Sequence, residues 1–107
     1  MAKQVIAVDF DHTIFDNNAN APMEGAQEAL AQLHEAGYCI LIFSCNNKSF
    51  IEQWLSNNNI YFDSIWDQPG KPAATLYCDD RGYRFEGDWA KATGDILELA
   101  ANRPLRR

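Results

Sequence analysis

At 107 residues the chain has the length of one domain, able to bury roughly two-thirds of the surface of its unfolded form, and no length for a second lobe. Fifteen Asp and Glu against nine Lys and Arg leave a net charge of −6, which disfavours nucleic acid as a partner. No run approaches the roughly 18 apolar residues that cross a bilayer, and the N-terminus lacks a signal-peptide apolar core. Cys39, Cys45 and Cys78 are odd in number and follow no Cys-x-x-Cys spacing, so they read as reduced thiols of a cytoplasmic protein rather than a disulfide framework or a zinc site.

The first element is the apolar run Gln4 to Val8, rich in β-branched residues and unbroken by polar ones, a strand buried on both faces. It ends on Asp9 and Asp11. Ile14 to Ala21 turns from apolar to turn-forming residues and reads as a loop bending over the strand tip. Pro22 fits the first turn of a helix whose stripe is Met23, Ala26, Leu30 and Leu33 and whose stop is Gly37. Tyr38 to Phe43 is the second apolar strand, ending on Ser44-Cys45-Asn46-Asn47. A helix follows from about Ser49 to Ser56, closed by Asn57 to Asn59.

Ser64 to Trp66 is a short third strand before the turn Gln68-Pro69-Gly70, with Lys71 immediately behind it. Thr75 to Cys78 is the last strand, tipped by Asp79 and Asp80. Asp88 caps a final helix to about Ala101, with Trp89, Ile96, Leu97 and Leu99 or Ala100 turned inward. Strands alternating with helices predict an α/β domain, residues 1–107, built on a central parallel sheet with right-handed crossovers. The tail Asn102 to Arg107 is expected to fray.

The polar residues that stand where the apolar runs stop are Asp9 and Asp11, then Ser44, then Lys71, then Asp79 and Asp80. Two carboxylates on one tight turn raise each other's pKa unless a cation lies between them, and a hard ion such as Mg2+ would supply that charge. Asp9-Phe10-Asp11-His12-Thr13 resembles the D-x-D-x-T signature of haloacid dehalogenase (HAD) superfamily phosphatases. Ser44, Lys71 and the Asp79-Asp80 pair are similar to that family's second, third and fourth motifs, in the family's order. The resemblance spans nearly the whole chain.

That resemblance implies a three-layer α/β/α Rossmann-like core, with the first strand flanked by the second and fourth. It also implies a Mg2+-dependent phosphomonoester hydrolase. Asp9 would be the nucleophile that forms an aspartyl-phosphate, and Asp11 the acid and then base. Ser44, with Cys45 and Asn46 behind it, would bind phosphate oxygens, and Lys71 would balance the charge of Asp9 and phosphate. Asp9, the backbone carbonyl of Asp11, Asp79 and Asp80 would hold the metal, and Thr13 would fix the loop. The chain departs from the pattern after Ser44, where Cys45-Asn46-Asn47 stands in place of a nearby basic residue. Cys45 is a rival nucleophile in principle, but the arginine that a cysteine phosphatase loop needs six residues later is Ile51.

Arg81, Tyr83 and Arg84 either edge the pocket mouth or serve the surface. Asp16 and Asp63 read as surface turn residues, and His12 and His34 as non-ligands. Neither gap between motifs has room for a cap domain. The site is therefore expected to be open, taking a large substrate such as a phosphorylated macromolecule or nucleic-acid end, or closing through a homo-oligomer. Two other readings compete: a HAD-fold binding or regulatory protein with little turnover, and a receiver-type phosphoacceptor domain. The second would need its acidic pair early and its phosphorylated Asp on a later strand.

Overall fold

The apolar run of β1 (Val5–Asp9) becomes the centre of a four-stranded parallel sheet. A computed structural model describes residues 3–102. On one side β1 pairs with β4 (Cys39–Phe43), which pairs with β5 (Ser64–Ile65). On the other side it pairs with β6 (Leu76–Cys78), giving the order β5-β4-β1-β6. The first apolar run thus lies between the second and the fourth, the order that the family resemblance implies. All four carboxyl ends leave the same edge, because every pairing is parallel.

Alternation along β1 divides the sheet into two faces. Ile6 and Val8 share a face with Ile40 and Ile42, to which they are register partners. Against that face pack Leu30 of α1 (Ala26–Glu35) and Ile51 and Leu55 of α2 (Lys48–Asn57), in one core cluster. Burial of Leu55 or Ile51 contributes about 1.5–3 kcal/mol each relative to exposure. Ala7, on the opposite face, is covered too. There the strand-free segment 66–75 crosses the sheet: the Tyr77 hydroxyl donates to the Pro72 carbonyl, and Pro72 is among the most buried residues.

Three expectations are corrected. Ile14 to Ala21 is not only loop, since β2 (Phe15–Asp16) and β3 (Ala21–Pro22) form a two-residue antiparallel ribbon. Pro22 lies in that ribbon rather than in a helix, where its missing N–H costs no sheet bond. The helix begins after Gly25, whose φ of 86° is a left-handed conformation that stops it extending backward.

The third correction concerns α3 (Trp89–Ala101). Its start was correctly read, because the Asp88 carboxylate accepts from the Lys91 N–H at 3.1 Å. Its apolar stripe does not point into a core, however. Trp89 is 68%, Ile96 41% and Leu97 69% exposed, and Ala92 is the only buried residue of the helix. The periodicity marks an apolar face, but the sheet ends at β6, and segment 81–87 leans on α3 through the Phe85–Trp89 ring pair at 4.7 Å and the Tyr83 hydroxyl donating to Asp95 at 2.7 Å.

Neither gap between the polar strand ends holds a further domain. The first is filled by the ribbon and α1, and residues 66–75 form no helix or strand. Among the described residues no helix is long and apolar enough to cross a membrane.

Candidate active site

Asp9 closes β1 on the side of the sheet opposite Phe10. Phe10 is fully buried, stacked on Phe15 at 5.4 Å and edge-on to Trp54 at 5.3 Å, so the hydrophobic face pulls one way and leaves Asp9 at the carboxyl edge. The Phe10 carbonyl accepts from the N–H groups of Thr13, Ile14 and Phe15 at 3.4, 3.0 and 2.9 Å, closing the turn that carries Asp11. His12 takes the left-handed φ of 63° that this turn requires.

Asp11 is held by two neighbours. The Ser44 hydroxyl donates to its Oδ2 at 2.9 Å, and the Asn17 amide donates to Oδ1 at 3.3 Å while the Asn17 carbonyl oxygen accepts from the His12 N–H at 3.0 Å. Ser44 also accepts from the Asn46 N–H at 2.9 Å, which ties the tip of β4 to the D-x-D turn. The Thr13 hydroxyl is buried with no partner among the described residues, so the loop is fixed by the Phe10 carbonyl rather than by Thr13.

A cavity of about 620 Å3 lies at this carboxyl edge. Asp9, Ser44, Cys45, Asn46, Lys71 and Asp79 all line it, so chain segments separated by up to 70 positions meet around one space. Asp11 and Asp80 are not in its wall; Asp11 is bonded to Ser44, which is. Asp80 acts on Asp9 through its charge. Trp66 and Gln68 form further wall, and Trp66 is pinned by its indole N–H donating to the Gly70 carbonyl at 2.9 Å.

The electrostatics of the site are unbalanced. The Asp9 carboxyl is pushed up to about 7, first by burial and then by the charge of Asp80, against the lowering N–H of Phe10; Asp79 and Asp11 push it further. Lys71 does not answer this directly. Its ammonium lies 3.9 Å from the centroid of the Tyr77 ring, a cation–π contact, and it forms no ion pair among the described residues. Lys71 therefore shares the cavity with Asp9 without pairing with it.

Asp79 is turned partly into its own loop, its Oδ1 accepting from the Arg81 and Gly82 N–H groups. A Cβ on Gly82 would come within 2.9 Å of that oxygen, so this turn is drawn around a residue without a side chain. Among the described residues no group of three or more His, Cys, Asp or Glu side chains is arranged to hold a metal ion. Asp9, Asp79 and Asp80 are carboxylates of the kind a hydrated Mg2+ takes, since it keeps several waters and needs few carboxylates, and a cation there would offset the burial and the carboxylate charge that lift Asp9. Cys45 and Cys78 are free and exposed, and burial, then Asp79 and Asp9, push the Cys78 thiol up, away from the thiolate a nucleophile needs.

Sequence reading missed Asn17, although a run of turn-forming Asn residues directly after the D-x-D turn is the signal that a side chain folds back there. It also missed Trp66 and Gln68, whose one cue was an aromatic residue just ahead of the lysine.

No family model and no curated protein sequence matches the chain. Among solved structures, a conserved protein from Bacteroides thetaiotaomicron matches with a TM-score of 0.64 at 24% identity, over 92% of this chain and 93% of that one. At that identity the likeness is one of fold.

Proposed function

We propose that the chain is a capless, cytoplasmic phosphatase of the HAD type, with the three-layer core of that family in minimal form, which hydrolyses phosphomonoesters with Mg2+ through an aspartyl-phosphate on Asp9. The observation that carries this reading is the convergence of Asp9, Ser44, Lys71 and Asp79 on one cavity at the carboxyl edge of the sheet. That edge is where open α/β folds bind ligands, because the loops leaving the strand tips form a crevice there.

A bound Mg2+ supplies positive charge that keeps the Asp9 carboxylate ionised and offsets its repulsion from an anionic ester; Asp9, the Asp11 carbonyl, Asp79 and Asp80 are the groups that would hold it. An Asp9 oxygen attacks phosphorus as the bond to the leaving oxygen breaks, and Asp11 gives that oxygen its proton. Water then attacks the aspartyl-phosphate, Asp11 takes the proton, and Asp9 is freed as phosphate departs. Ser44 carries a single hydroxyl hydrogen, now donated to Asp11. Turning it to a phosphoryl oxygen releases Asp11 Oδ2 to hold the proton the leaving group needs. Lys71, in the same cavity, adds positive charge, and the Asn46 N–H, now donated to Ser44, becomes available to phosphate only if that bond opens.

One observation favours a second reading, a HAD-fold binding protein with little turnover: the Asp79 carboxylate is committed to its own loop. Hydrolysis of an aryl phosphate with and without Mg2+, beside Asp9→Asn, decides between the two. The phosphatase reading expects Mg2+-dependent turnover that falls at least about a thousandfold in the variant, since the nucleophile is lost. Equal, negligible rates for both proteins across a broad ester panel would establish the binding reading instead.

A further inference from the structure

We infer that the segment after β6 builds a second subsite, which takes an anionic group, carboxylate or phosphate, carried on the leaving group of the ester cleaved at Asp9. The inference rests on the phosphatase reading and names its substrate class. A second cavity of about 490 Å3, within the size range of small-molecule sites, is lined by Lys71, Tyr77, Asp79, Tyr83 and Arg84. Lys71 and Asp79 also line the first cavity, so the two spaces adjoin along a shared wall.

Two cations meet at this wall. In a chain of net charge −6, Lys48 is paired with Asp67 at 3.3 Å, and Lys91 with Asp95 at 2.8 Å and Glu86 at 3.5 Å. Arg84 and Lys71 make no ion pair among the described residues, and both face this one cavity. The single acid in the wall, Asp79, already has one oxygen occupied by the Arg81 and Gly82 N–H groups.

The aromatic walls are held in place. Tyr83 is anchored through its hydroxyl to Asp95 at 2.7 Å, and Tyr77 is fixed by its bond to the Pro72 carbonyl and its edge contact with Phe43. A guanidinium offers the planar fork that fits a carboxylate or phosphate. Two fixed rings suit a flat or apolar spacer between that anion and the scissile oxygen. The leaving group so described is an anion-bearing, preferably aromatic alcohol.

The test compares three aryl phosphates with Mg2+ present: 4-carboxyphenyl phosphate, 1,4-phenylene bisphosphate, and 4-carbamoylphenyl phosphate as a neutral control of similar electron demand. Wild type is expected to favour an anionic ester over the control by roughly tenfold in kcat/KM, mostly through KM, with the advantage shrinking as salt rises. Whichever anionic ester gains more identifies the group bound. Arg84→Gln should lose several times more on the anionic esters than on the control, and Arg84→Lys should recover part of the difference. Equal handling of the three esters by wild type, or an equal loss on all of them in Arg84→Gln, overturns the subsite. If wild type hydrolyses none of them, the phosphatase reading fails, and the subsite is read by calorimetric titration with 4-carboxyphenylphosphonate and 4-carbamoylphenylphosphonate. Tighter binding of the carboxylate to wild type but not to Arg84→Gln supports it, and indistinguishable binding overturns it.

Discussion

The two flanks of β1 are built differently. Toward β4 the sheet is sealed by α1 and α2, and Ile40, Ile42, Ile51 and Leu55 are essentially inaccessible. Toward β6 the strand is exposed along its length, Leu76 is 57% accessible, and α3 leaves Trp89 and Leu97 in solvent. The candidate site straddles this seam: Ser44 and the Asp11 turn belong to the sealed flank, and Asp79, Gly82 and Arg84 to the open one. On the proposed reading, the groups assigned to the phosphoryl group thus sit on close-packed scaffold, whereas those assigned to the leaving group sit where packing is thin and sequence can change at little cost in stability.

Substitutions can break that contrast or sharpen it. The largest effect belongs to Leu55→Ala, which should cost about 3 kcal/mol in denaturant unfolding because it empties a space with no solvent access. A cost below about 1 kcal/mol would show the sealed flank to be loosely packed.

Asp63→Asn comes next. Asp63 Oδ2 accepts from the Ile40 N–H at 2.6 Å and Oδ1 from the Tyr61 hydroxyl at 2.7 Å, which ties β4 to the chain just before β5. Burial opposes ionisation of this carboxyl, but the Ile40 N–H, the Tyr61 hydroxyl, Lys3 and His34 outweigh it and hold its pKa below the usual value. The ionised form is therefore favoured by folding. Its contribution is full above the unfolded pKa near 4 and fades as pH falls through the lower folded value. The variant should lose about 1 kcal/mol at pH 7, with the gap to wild type closing below about pH 4 in melts across that range. A gap that persists at pH 3 would assign the loss to packing.

On the open flank, Gly82→Ala should leave unfolding free energy within about 0.5 kcal/mol of wild type, since the clash at 2.9 Å is with a side-chain oxygen that can swing aside. The displaced Asp79 should nonetheless weaken Mg2+ binding several-fold by calorimetry, and unchanged binding would remove Asp79 from the metal site. The smallest effect is expected of Leu97→Gln, within about 0.5 kcal/mol of wild type, because the side chain is 69% exposed. A loss above about 1.5 kcal/mol would show that something covers α3 in solution.

The sequence made the strands legible because β1 and β4 are unbroken apolar runs, and the cap of α3 legible because Asp88 carries the carboxylate oxygen that a helix start needs; the capping role of Asn47 at α2 comes from the structure. It placed Asp9, Ser44 and Asp79 at one cavity because a parallel sheet sends every strand end to the same edge. Other features left no such mark. Two-residue strands such as β2 and β3 have no period to detect, and an apolar stripe on α3 states which face is hydrophobic without stating what lies against it. The resting of Lys71 on Tyr77, and the folding of Asp79 back on Gly82, depend on side-chain choices among nearby partners that spacing does not rank.

Phe10 stands between the two acids and never touches the cavity, yet its ring is clamped by Phe15 and Trp54 and its carbonyl gathers three amide hydrogens. The spacing between the Asp9 and Asp11 carboxyl groups is consequently governed from beneath, by oily contacts. Trimming that ring should misalign the chemistry while every polar group remains in the chain, so a purely hydrophobic lesion here would masquerade as a catalytic one.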